Sequence, residues 1–114
     1  MAVVYSRANM QMARKNERII IGLKSELLDE IIRVAEKNDI DKVILFGSRA
    51  RGDNKERSDI DIAFWGENAN EFILDLDEET NTLLKFDIVD LNRPVQEELL
   101  ESIRKEGIVI YEKV

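Results

Sequence analysis

Apolar residues recur at spacings of three and four from Leu27 and Leu28 through Ile31 and Ile32 to Ala35, with Glu and Asp between them. That stripe predicts an amphipathic helix over about Ser25–Asn38. Lys42–Phe46 is different, a short and mostly apolar run closed by Gly47-Ser48, and it reads as a buried strand meeting a turn. Ile60, Ile62 and Phe64 then alternate with Asp59, Asp61 and Ala63, the period of a strand with two distinct faces. Helical spacing returns with Ala69, Phe72, Ile73, Leu76, Thr80, Leu83 and Leu84, which predict a second helix. Phe86–Leu91 reads as a strand bounded by Asn92-Arg93-Pro94. Pro94 opens a third helix with Leu99, Leu100 and Ile103 inward and Gly107 as its stop. Ile108–Tyr111 follows as a last strand, at a sheet edge. The order α-β-turn-β-α-β-α-β has no repeat and no low-complexity tract. It gives the fold class α/β (α+β), a single domain with a small mixed β-sheet of about four strands and helices packed on it.

Composition narrows the chemistry. The 114 residues include no Cys and no His, which excludes disulfide frameworks, zinc clusters, thiolate nucleophiles and histidine bases. Carboxylates, hydroxyls, Lys, Arg, Tyr and a hard metal remain. No apolar run approaches the ~18–20 residues of a membrane helix, and nothing at the N-terminus resembles a secretory signal. A cytoplasmic protein with no membrane partner is expected.

Charge divides the chain. Residues 1–24 carry Arg7, Arg14, Lys15, Arg18 and Lys24 against Glu17, a net of +4, whereas residues 25–114 hold 12 basic and 23 acidic residues, a net of −11. The first part reads as a basic N-terminal arm, disordered or partner-binding, and residues 25–114 as the folded domain. A body this acidic is a poor general binder of nucleic acid, so no direct nucleic-acid contact is expected. A nucleotide bound here needs a divalent cation to overcome the local field.

The stretch from Phe46 to Phe64 holds the candidate chemistry. Asp59 and Asp61 are two apart on a predicted strand and so project from one face, about 6–7 Å apart at their roots. Paired carboxylates repel unless a cation lies between them, and oxygen-only ligands suit Mg²⁺ with substrate phosphates. A third carboxylate on a neighbouring strand completes a two-metal site, and Phe86–Leu91 offers Asp87 and Asp90, of which only one can face it. Gly47-Ser48 supplies a close backbone approach and N–H groups for an anion. Each feature alone has a plainer reading: a D-x-D is usually a wet strand face and Gly-Ser a turn. Arg49 and Arg51 divide evenly between surface ion pairs and contacts to phosphate or a partner. Asp75, Asp77, Glu78 and Glu79 read as the solvated side of the second helix, and Trp65 and Tyr111 as rim or core packing.

The combination is more specific. Leu45-Phe46-Gly47-Ser48-Arg49-Ala50-Arg51-Gly52, followed by Ser58-Asp59-Ile60-Asp61-Ile62-Ala63, resembles the minimal nucleotidyltransferases (MNT) of the DNA polymerase β-like superfamily. Their signature is G-S, a spacer of about ten, then D-x-D. The resemblance covers residues 25–112 and implies a polymerase β-like fold. It implies Asp59, Asp61 and Asp87 as catalytic residues and ligands of a two-metal Mg²⁺ site, with Asp90 outside it. Gly47 and Ser48 would bind the triphosphate of ATP, and in-line attack on the α-phosphorus would release pyrophosphate.

The small form resembles the MNT antitoxins of HEPN–MNT pairs. This implies a HEPN-type toxin as partner, with AMP transferred to one of its hydroxyls, a tyrosine. A borrowed acceptor surface also allows a homo-oligomer. Two alternatives stand beside this: a non-catalytic antitoxin that masks its partner, and a small-molecule nucleotidyltransferase of the aminoglycoside kind.

Overall fold

The computed structural model describes residue 20 and residues 22–114, so most of the basic N-terminal arm, residues 1–19 and 21, lies outside the described residues. Eight elements follow in order: α1 (Ser25–Lys37), β1 (Lys42–Phe46), α2 (Ser48–Arg51), β2 (Ile60–Trp65), α3 (Ala69–Glu79), β3 (Phe86–Asp90), α4 (Glu97–Glu106) and β4 (Ile108–Glu112). The strands form one mixed sheet in the order β3-β2-β1-β4. β1 is antiparallel to both β2 and β4, while β2 and β3 run parallel. A parallel pair needs a long crossover, and α3 supplies it.

The α1 stripe buries Leu27, Leu28, Ile31, Val34 and Ala35. Glu26 in its first turn and Lys37 in its last complement the helix dipole. The chain reverses through Asn38 and the left-handed Asp39. There the Asn38 amide donates to the Val34 carbonyl at 3.0 Å and to Asp75 of α3 at 3.1 Å. Lys37 adds ion pairs to Asp75 and Glu79, so α1 and α3 are tied at their ends.

These two helices cover one face of the sheet. Val43, Leu45, Ile60, Ile62 and Phe64 point into that side, all 0% exposed, and the Phe64 and Phe72 rings pack with centroids 4.9 Å apart. The core reaches back before α1: Leu23 is buried in it and Ile20 packs against it.

The other face is covered only in part. Ile103 of α4 joins Ile44, Phe46 and Ala63 in a second, smaller cluster. Ala63 belonged to the polar set of the alternation, and it is buried because α4 lies over that half of the strand. Tyr111 is buried, and Trp65 sits at the rim beneath the Lys42 ammonium, 5.4 Å from its ring centre.

Three sequence expectations are corrected. The second helix stops at Glu79, so Leu83 and Leu84 lie beyond it. Leu83 is fully exposed and Leu84 half-buried against the core. Thr80 ends the helix by turning extended, its hydroxyl bonded back to the Leu76 carbonyl at 2.6 Å. Pro94 does not open α4, which begins at Glu97. The intervening residues follow a turn in which Asp90 accepts from the Asn92 N–H at 2.9 Å and Arg93 N–H reaches the Asp90 carbonyl. Finally, the turn after β1 contains a one-turn helix, α2, between Gly47 and Gly52. No helix among the described residues is long and apolar enough to cross a membrane.

Candidate active site

β1 ends at Phe46, and Gly47 turns the chain into α2 with φ 75° and ψ −157°. That combination is almost restricted to glycine. A side chain there would also collide: a Cβ on Gly47 would overlap the Asp61 carboxylate. The Gly-Ser turn and the Asp-x-Asp strand, ten residues apart in sequence, are therefore in van der Waals contact. The Gly47 carbonyl accepts the N–H groups of Ala50 and Arg51, both at 3.1 Å. The N–H groups of Ser48 and Arg49 precede these first helical bonds, at the end of the helix nearest Asp61.

Sheet register assembles the acids. Phe46 pairs with Asp61 across β1 and β2, and Asp61 pairs with Asp87 across β2 and β3. The three form one row across the sheet, on strands about 4.8 Å apart. In the row two residues further along, Ile44 pairs with Ala63 and Ala63 with Val89, and α4 covers that row. The uncovered end of the same face is thus acidic. Asp59 precedes Asp61 by two residues on the approach to β2 and is exposed, as is Asp87, while Asp61 is half-buried.

Burial raises the Asp61 carboxyl above the usual carboxylate range, and the charges of Asp87 and then Asp59 push it further the same way. Arg51 and Arg49 oppose this. Three anions converge where a cation would relieve them. Among the described residues no group of three acidic side chains is arranged to hold a metal ion by itself. The donor set is nonetheless all-oxygen and hard, which fits Mg²⁺, an ion that takes one or two carboxylates and completes its shell with water and substrate phosphates.

Asp90 is separate from this group. It pairs with Phe64 at the far end of β2, and its carboxylate accepts from the Asn92 amide at 2.7 Å and the Arg93 guanidinium at 3.3 Å. An open polar cleft lies there, lined by Gly66, Asn70, Asp90, Asn92 and Arg93 among others. It lies at the opposite end of the strands from Asp61 and Asp87.

The two arginines differ. Arg51 is exposed and pairs with Asp53 at 3.1 Å and Glu106 at 3.0 Å, a surface ion pair. Arg49 is neither a surface ion pair nor placed to meet a ligand: it is 7% exposed, and its guanidinium donates to main-chain carbonyls of Gly22, Lys55, Glu56 and Ser58. Sequence reasoning missed this, since a four-residue helix has no periodicity to show which side chain turns inward. It also missed Phe46 as the apolar neighbour of Asp61, although period two along β1 puts Phe46 opposite the Val43 and Leu45 face.

Residues 29–114 match the model of the family described as polymerase beta, nucleotidyltransferase. A Methanocaldococcus jannaschii protein, provisionally named a protein adenylyltransferase, is 40% identical over 82 residues, 63% of this chain and 79% of its own. A crystal structure of a toxin–antitoxin with AMP-PNP superposes with a TM-score of 0.61 at 24% identity, covering 75% of this chain and 73% of that one. A structure provisionally described as a minimal nucleotidyltransferase gives a TM-score of 0.59 at 22% identity, over 79% and 95% of the two chains. At those identities the two structures speak for the fold alone. The family match spans all four strands, the glycine turn and the three aspartates, and on it the chain belongs to the polymerase beta nucleotidyltransferase family.

Proposed function

We propose that this chain transfers AMP from ATP, with Mg²⁺, to a hydroxyl of a partner protein, a tyrosine of a HEPN-type toxin, and so acts as its antitoxin. The observation that carries the reading is the contact of Gly47 with Asp61 and the register of Asp61 with Asp87. One surface then offers both an anion-accepting turn and convergent carboxylates. The name of the archaeal relative supports protein as the acceptor class, and the toxin–antitoxin structure bearing a nucleotide analogue supports the biological setting.

In this reading Gly47 and Ser48 hold the triphosphate through main-chain N–H groups and the Ser48 hydroxyl. Asp59, Asp61 and Asp87 would hold a two-metal site. Bound Mg²⁺ supplies neutralisation of the triphosphate and of the charge that develops on departing pyrophosphate. The acceptor oxygen bonds to the α-phosphorus as the bond to the bridging oxygen breaks. Asp87, exposed on its strand, receives the hydroxyl proton. The acidic body, net −11 over residues 25–114, steers a basic partner surface toward the site.

The test is label transfer from α-³²P ATP with Mg²⁺, wild type beside the Asp59→Asn/Asp61→Asn double variant, in lysate containing the co-produced partner. A labelled protein band that requires both aspartates supports the reading. A stable complex with no label would overturn it in favour of masking by binding alone.

A further inference from the structure

The roles above leave Arg49 unused, although it is the one buried charged residue among the described residues. Arg49 follows Ser48 directly, so its backbone belongs to the anion-accepting turn. Its guanidinium reaches across to the loop that delivers Asp59. Nε and Nη2 both donate to the Ser58 carbonyl, at 3.1 and 2.8 Å, and Nη2 also meets the Glu56 carbonyl at 3.1 Å and that of Lys55 at 3.4 Å. On the other side Nη1 donates to the Gly22 carbonyl at 2.9 Å. The backbone of Gly22 lies so close to Arg49 that a Cβ there would overlap the Arg49 main chain.

The Ser58 carbonyl is half of the peptide group that carries Asp59. Residues 55–57 are exposed, and among the described residues the loop is otherwise closed on itself, by Ser58 N–H to the Lys55 carbonyl at 3.1 Å, Lys55 N–H to the Ser58 hydroxyl at 2.9 Å and the Asn54 amide to the Lys55 carbonyl at 3.2 Å. One buried fork therefore ties the start of α2 to the main chain of Asp59. We infer that Arg49 is a positioning residue that fixes Asp59 relative to the Gly47-Ser48 turn, the two groups that would hold Mg²⁺ and the triphosphate. The inference rests on the transferase reading for its purpose, and on hydrogen-bond geometry alone for the clamp. Arginine is required because its planar five-donor fork bridges acceptors on two sides, which a lysine point charge does not.

Arg49→Lys in the full chain is the test, with folding verified by circular dichroism. Amide exchange in the 54–60 segment should quicken at least tenfold, while β1 and β4 stay within about twofold of wild type. By calorimetry, the Mg²⁺ concentration that half-saturates ATP binding should rise about 10- to 100-fold, the usual effect of removing support behind a metal ligand. ATP affinity at saturating Mg²⁺ should change less than about threefold. Equal weakening at low and saturating Mg²⁺, or unchanged exchange in 54–60, would overturn the inference.

Ser58→Gly loosens the same turn without touching the core and must shift the Mg²⁺ requirement in the same direction, which decides the matter if Arg49→Lys does not fold. Absence of Mg·ATP binding by the wild type would defeat the transferase reading instead, and the exchange measurement would still decide the clamp.

Discussion

Gly47→Ala probes the join between the glycine turn and the aspartate strand. At φ 75° and ψ −157° an alanine pays backbone strain of about 1–3 kcal/mol. The unfolded chain loses freedom in the exchange, which returns about 0.4–1 kcal/mol. The net destabilisation is about 1–2 kcal/mol before any collision is counted. For a domain of this size each kcal/mol lowers the melting temperature by about 4–8 °C, so a fall of about 5–15 °C is expected.

The methyl group also overlaps the Asp61 carboxylate, which must rotate away or take β2 with it. A displacement near 1 Å at a reacting centre costs about 10²-fold in rate. Transfer measured at 20 °C, where the variant is still folded, should therefore fall by that factor or more. Thermal unfolding by circular dichroism and label transfer read the two effects separately. A variant that melts within about 2 °C of wild type and transfers within threefold of it would refute both the glycine-only conformation and the contact.

Asp61→Asn should stabilise the metal-free protein at neutral pH while abolishing transfer. Folding raises the Asp61 carboxyl above 3.8, so its contribution to stability is fully present below that value and is lost as pH rises through the folded one. The variant should thus out-melt wild type at pH 7, with the advantage vanishing below about pH 4, and a lower melting temperature at pH 7 would count against the convergence of three anions. Asp87→Asn should cut transfer by more than about 10²-fold, while Asp90→Asn, at the far end of the strands, should leave it within threefold; equal losses would place the third carboxylate elsewhere. In urea titrations Leu76→Ala, at a fully buried position, should cost about 2–5 kcal/mol, whereas Leu83→Ser should stay within about 0.5 kcal/mol.

Much of this architecture was legible because its signals are periodic. Lys42–Phe46 has the predicted bounds, and of the predicted α1 stripe Leu27, Leu28, Ile31 and Ala35 are buried, while Ile32 is half-buried and Val34, outside the stripe, is buried. The alternation through Ile60, Ile62 and Phe64 identified the buried face of β2. Asp87 and Asp90 were separable by parity, and register with Asp61 puts Asp87 on the acidic row. What was not legible depends on partners distant in sequence. Ala63 is buried only because α4 returns over it, and no local pattern announces that. Leu83 and Leu84 continue the α3 spacing, but Thr80 ends the helix through a single side-chain bond. Arg49 looks like Arg51 in sequence, yet one meets carbonyls inside and the other carboxylates outside, a distinction set by the 22 and 55–58 segments closing around α2.

The sheet order carries a consequence for how the protein fails when warmed. Asp61 belongs to β2 and Asp59 immediately precedes that strand, which is held on both sides, whereas β3 is an outer strand, bonded among the described residues only to β2 and with none of its five residues fully buried. Outer strands with little buried surface open at lower free energy than the whole domain. Fraying of β3 withdraws Asp87 from the row while β1, β2 and β4 remain intact. On the role proposed for Asp87, transfer should therefore be lost ahead of the fold, over a range of temperature in which the protein is native by most spectroscopic criteria and already inert.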